Sequence, residues 1–107
     1  MPKYLYQVSY TTDGLKGVLR EGGSSRRATI DQLITSMGGT MESFHYAFGD
    51  HDVYLIADLP DNETSAAIAL AVNAAGAAKV STTVLISPEE VDRATKKTVN
   101  YRPPGAQ

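Results

Sequence analysis

The chain has 107 residues, ten Lys and Arg against twelve Asp and Glu, and no cysteine. That length holds one small domain with a modest core, and a formal charge of −2 with scattered basic residues gives no cluster for a phosphate backbone, so no nucleic-acid partner is expected. Without cysteine there is no disulfide framework, thiolate metal site or Cys nucleophile; with no apolar signal core at Met1-Pro2-Lys3-Tyr4 and no apolar run near the roughly 20 residues that cross a bilayer, the expectation is a soluble cytoplasmic protein with no membrane partner.

Residues 3 to 11 alternate, placing Tyr4, Tyr6, Val8 and Tyr10 on one side and Leu5, Gln7 and Ser9 on the other, the pattern of a strand. Thr12-Asp13 offers an N-cap to a helix carrying Leu15, Val18 and Leu19, which Gly22-Gly23 interrupts. Ser24-Ser25 then caps a second helical stretch with the stripe Ala28, Ile30, Leu33, Ile34 and Met37, ended by Gly38-Gly39. The two form one helical layer with a glycine kink.

Residues 40 to 48 and 51 to 59 alternate again around Gly49-Asp50, which suits a two-residue hairpin turn with positive φ at the glycine. In that register Tyr46 faces Val53, Phe44 faces Leu55 and His45 faces Tyr54. One face then carries Phe44, Tyr46, Val53, Leu55 and Ala57; the other carries Met41, Ser43, His45, Asp52, Tyr54, Ile56 and Asp58. Pro60-Asp61-Asn62 caps an alanine-rich helix from 64 to 75 that Gly76 ends. A β-branched strand follows from Lys79 to Ile86, and Ser87-Pro88-Glu89-Glu90 opens a short charged helix with a capping box. The domain spans 1–99, and 100–107 forms an extended tail.

The order strand, helix, strand, strand, helix, strand, helix is α+β: a ferredoxin-like β-α-β-β-α-β unit with an antiparallel sheet and a short C-terminal helix. Helices cover one face of such a sheet and leave the other bare. A second copy is the expected partner for the bare face, as in a dimeric α/β barrel, giving a homodimer or a higher oligomer of dimers.

Phe48-Gly49-Asp50-His51-Asp52-Val53, with Glu42-Ser43-Phe44 before it and Asp58-Leu59-Pro60-Asp61 after it, resembles the GYD-domain family, as do Tyr4 to Thr11, the Gly22 to Arg27 segment and Tyr101-Arg102-Pro103-Pro104-Gly105. The resemblance covers nearly the whole chain and departs at the signature, where His51 stands in place of the usual Tyr. It implies a small ferredoxin-like protein of the dimeric-barrel kind and assigns no activity. Gly49-x-x-Asp52 is also similar to the hairpin of the effector-binding module of leucine-responsive transcriptional regulators.

Three sets of residues could carry chemistry. His45 beside Tyr54 on the bare face, with Ser43 and with Asp52 or Tyr6 near by, could line a cavity for a small organic ligand; in a cofactor-independent oxygenase or isomerase His45 would be the base and Tyr54 its hydrogen-bond partner. The plainer alternative makes Tyr6, Ser43, His45 and Tyr54 interface residues bonded to one another. His51, Asp50 and Asp52 have the chemistry of metal ligands. Because the two-residue turn sends His45 and His51 to opposite faces, the expectation is no metal, with Asp52 capping the turn and His51 solvated. Gly22 to Arg27 offers backbone N–H groups, hydroxyls and the Arg26-Arg27 pair to an anion, against a simple kink with solvated arginines. No cofactor motif is present.

Overall fold

The computed structural model describes residues 1–105; Ala106 and Gln107, the end of the expected tail, lie outside the described residues. Strand β1 (Lys3–Tyr10) buries Tyr4, Tyr6 and Val8 on one side, as its alternation requires. Helix α1 (Thr12–Glu21) starts one residue earlier than its cap residues suggest, because the Thr11 hydroxyl accepts from the Gly14 N–H. Gly22, at φ 84°, turns the chain directly into α2 (Gly23–Ser36), which has no side-chain cap: Ser24 and Ser25 already lie inside the helix. Of the expected stripe on α2, Ile34 is buried and Ile30, Leu33 and Met37 pack against the core, while Ala28 is exposed.

Strands β2 (Thr40–Tyr46) and β3 (Val53–Asp58) pair with His45 opposite Tyr54 and Phe44 opposite Leu55, the expected register. The connection differs. It runs over six residues, 47 to 52, closed by Ala47 N–H donating to Asp52 O and Gly49 N–H to His51 O, and the positive φ falls on Phe48 (55°) and not on Gly49. A second difference lies at Glu42, where a bulge sets Met41 opposite Ala57 and turns it to the core side, away from the bare face expected for it.

Helix α3 (Asn62–Ala75) is capped by Asp61, whose carboxylate accepts from the Thr64 N–H at 2.8 Å, and ends at Gly76 in the left-handed conformation. Strand β4 (Ala78–Leu85) then pairs with β1, and α4 (Pro88–Thr95) opens with the expected Ser87/Glu90 capping box. All neighbouring strands are antiparallel in the order β2-β3-β1-β4. That is the ferredoxin-like α+β arrangement.

The core lies between the sheet and the helices, where Tyr4, Tyr6, Val53, Leu55 and Ala57 meet Ile34 and Ile68. The opposite sheet face carries no helix. By register it is apolar at one end, where Leu5 lies between Ile56 and Thr83 and next to Leu85, and polar at the other, around Gln7, Tyr54, His45 and Ser81. Every described residue from Pro88 to Gly105 is exposed, and the radius of gyration is 17.4 Å, against roughly 13 Å for a compact chain of this length. Among the described residues no helix is long and apolar enough to cross a membrane.

Candidate functional site

On the bare face the ladder sets His45 beside Tyr54, with Ser43 one pair further along opposite Ile56. His45 is exposed there. The structure also brings His51 to this side, contrary to the two-residue turn: its ring meets the edge of Tyr54 at 5.8 Å and its Nδ1 lies 3.2 Å from the Ser9 hydroxyl. The longer connection is the physical cause, since residues 47 to 52 leave the ladder and fold over the end of β1. Asp52 likewise latches β1, accepting from the Tyr10 N–H at 2.8 Å while its own N–H donates to Val8 O at 2.7 Å. Both residues of the hairpin signature thus hold the loop to the first strand, where a turn cap and a solvated imidazole were expected. Asp50 is exposed. Among the described residues no group of three or more His, Cys, Asp and Glu is placed to hold a metal ion.

Tyr6 parts company with this set. It sits opposite Leu55 on the helix-covered face, 3% exposed, and its hydroxyl shares a 2.5 Å hydrogen bond with Ser65 of α3. Strand parity dictates this, because Gln7 and not Tyr6 lies opposite Tyr54.

An open, more polar hollow of about 400 Å³ lies on the bare face beside His51, Gln7, Ser9 and Ser81; the more enclosed and apolar one is on the covered side. A cavity of about 250 Å³ opens between α2, α3 and the sheet, walled by Ile30, Leu33, Phe44, Leu55, Ile68 and Val72. The polar groups that reach it are Tyr6, Tyr10, Arg26 and Thr29. Arg26 is half-buried, its side chain 28% exposed, with only a loose 3.9 Å pairing to Glu21. Burial pushes the Tyr10 phenol up to about 12; the neighbouring Tyr46 hydroxyl adds to this and the Arg26 charge opposes it. The Tyr46 ring stacks on Phe48 at 5.6 Å and meets Phe44 edge-on at 5.2 Å, and its hydroxyl donates to Gly23 O at 3.1 Å. An aromatic wall therefore ties the hairpin to the start of α2 beside Arg26.

Alternation and helical spacing hold the signal for this site. Arg26, Ile30, Leu33 and Met37 recur at steps of four, three and four, so the guanidinium belongs to the inward stripe of α2 while Arg27 is exposed. Tyr10 continues the inward series of β1. Reading the arginines as a solvated pair hid the first of these.

Taken together, sheet order, covered face and hollow define a ferredoxin-like domain with a ligand-sized cavity under its helices. The GYD domain family model matches residues 4–95, and the chain belongs to that family. No curated protein and no solved structure gives a match.

Proposed function

We propose that this protein binds a small, largely apolar molecule bearing one acidic group, held in the cavity between α2, α3 and the sheet. The observation that carries this reading is the pairing of an apolar hollow of about 250 Å³ with the half-buried guanidinium of Arg26. Water inside has few hydrogen-bond partners along the aliphatic walls, so an apolar body displaces it favourably. The volume lies just below the roughly 300–1,000 Å³ of drug-sized sites, which fits a molecule of one or two rings. A carboxylate on that molecule would take the place of Glu21 on Arg26 and receive a charge-assisted bond. Tyr10 stays protonated at neutral pH and offers a hydroxyl beside it.

Binding without turnover accords with the chemistry at hand, since the lining residues include no His, Asp or Glu to act as a base. Turnover by His45 and Tyr54 would require a cover over the bare face. The test is thermal unfolding with 1-naphthoate and with its neutral analogue 1-naphthalenemethanol, on the natural chain and on Arg26→Gln. A ligand at a hundred times its dissociation constant adds about 2.7 kcal/mol, so naphthoate raises Tm by several degrees in the natural chain, and Arg26→Gln loses most of that rise. The alcohol acts alike on both. Equal naphthoate shifts in the two proteins, or none in either, contradict the proposal.

A further inference from the structure

Residues 88–105 form a segment that the rest of the chain does not cover. All are exposed, among them Val91 (45%), Val99 (76%) and Tyr101 (71%). Their start is strongly specified even so: the Ser87 hydroxyl accepts from the Glu90 N–H, the Glu90 carboxylate accepts from the Ser87 N–H, and Pro88 stands at the first helical position. A helix of eight residues is marginal in water, since nucleation is costly and isolated helices need about 12–15 residues. A cap that fixes so short a helix is of use where a surface receives it, and the chain's own sheet and helices leave it uncovered in a molecule whose longest dimension, arm included, is 61 Å.

We infer that this arm seats on a second copy of the same chain, against the apolar end of its open sheet face. The seat is the cluster Leu5, Ile56 and Leu85, which register places together where the arm leaves the sheet. Its border is acidic: Lys3 pairs with both Glu42 and Asp58, leaving one negative charge in excess. The outer part of the arm is basic, with Arg93, Lys96 and Lys97 and no acid after Asp92. Residues 1–87 hold nine acidic and six basic side chains, so the attraction acts between arm and body.

A second copy fits better than an unrelated protein because each chain brings both an uncovered arm and an uncovered seat. Exchange about a two-fold axis covers both in both chains, whereas a different partner on the arm leaves the seat open. The scale is adequate. An arm of 18 residues together with its own sheet end reaches the roughly 20–30 residues a side of a stable interface.

Sedimentation velocity on the full-length chain and on the full-length double variant Val91→Asp/Val99→Asp tests this. Both side chains are exposed, so the variant keeps the fold, checked by circular dichroism. The natural chain should be a dimer at micromolar concentration, with dimerisation weakened at least tenfold in the variant. A monomeric natural chain would leave the arm to some other protein and overturn the inference; a variant that dimerises as well as the natural chain would show that the sheet face associates without the arm, and overturns it too. Location is read separately. The natural sequence has no cysteine, so Lys96→Cys accepts a single spin label, and labelled chain is mixed with unlabelled ¹⁵N chain. Broadening of the Leu5, Ile56 and Leu85 amides in the ¹⁵N chain supports the exchange. A ¹⁵N chain whose Leu5, Ile56 and Leu85 amides stay sharp means that the arm does not reach its partner's sheet, which contradicts it.

Discussion

Three phenols of β1, Tyr4 and Tyr6 buried and Tyr10 partly so, act alike, and their hydroxyls decide what the covered side of the sheet tolerates. Tyr4 donates to the Asn62 side chain at 2.6 Å, Tyr6 shares its bond with Ser65, and Tyr10 stands at the cavity. Tyr6→Phe leaves the buried Ser65 hydroxyl without its partner and should cost about 1–2 kcal/mol, read as a lower urea midpoint; Tyr6→Phe combined with Ser65→Ala should recover much of that loss. Burial raises all three phenols above their ordinary value of 10, Tyr10 to about 12. The unfolded chain releases these protons near pH 10 while the folded chain retains them, so the folded state is fully favoured below pH 10 and loses ground as pH rises toward 12. Unfolding midpoints measured from pH 9 to above 11 should fall, and fall less steeply in Tyr10→Phe. A midpoint indifferent to pH in that window would mean that the phenols are open to water.

At the scale of elements, close approaches decide where glycine is required. In α1 a Cβ on Gly14 would collide with the carbonyl oxygen of Ala77 and crowd the Tyr10 ring, whereas one on Gly17 meets nothing nearer than 3.9 Å. Gly14→Ala should therefore destabilise by about 2 kcal/mol through overpacking, while Gly17→Ala should gain up to about 1 kcal/mol of helix propensity. Chemical denaturation of both variants checks this opposition within one helix. Alternation exposed the first three strands and β-branched residues the fourth, and caps at Asp61, Ser87 and Gly76 exposed the ends of α3 and the start of α4, because these signals are local. The bulge at Glu42 and the six-residue connection at 47–52 were not legible. Both depend on how the hairpin meets β1, where Asp52 finds the Tyr10 and Val8 backbone, a contact between residues some forty positions apart.

For the whole molecule, the chain order of elements was enough to give the ferredoxin-like fold, since a split β-α-β arrangement has few ways to bury its helices. The site was harder to place. The bare face drew the reading of the sequence because His45, His51 and Tyr54 carry recognisable chemistry, and the structure does gather all three there. Yet the enclosed apolar hollow lies on the other side of the sheet, made by aliphatic residues of α2 and α3 that look like ordinary core in a sequence and reveal a gap only once packed. The two proposals assign the sides distinct roles: a ligand under the helices, with Arg26 at its acidic group, and a second copy against the open sheet. The most direct measurement is a two-dimensional NMR titration of the full-length chain with 1-naphthoate. Saturable shifts centred on Ile30, Leu33, Ile68 and Val72, with the Arg26 side chain moving among them, are predicted. Shifts centred on His45, His51 and Tyr54, with those cavity residues unmoved, would contradict the account and return the site to the open face.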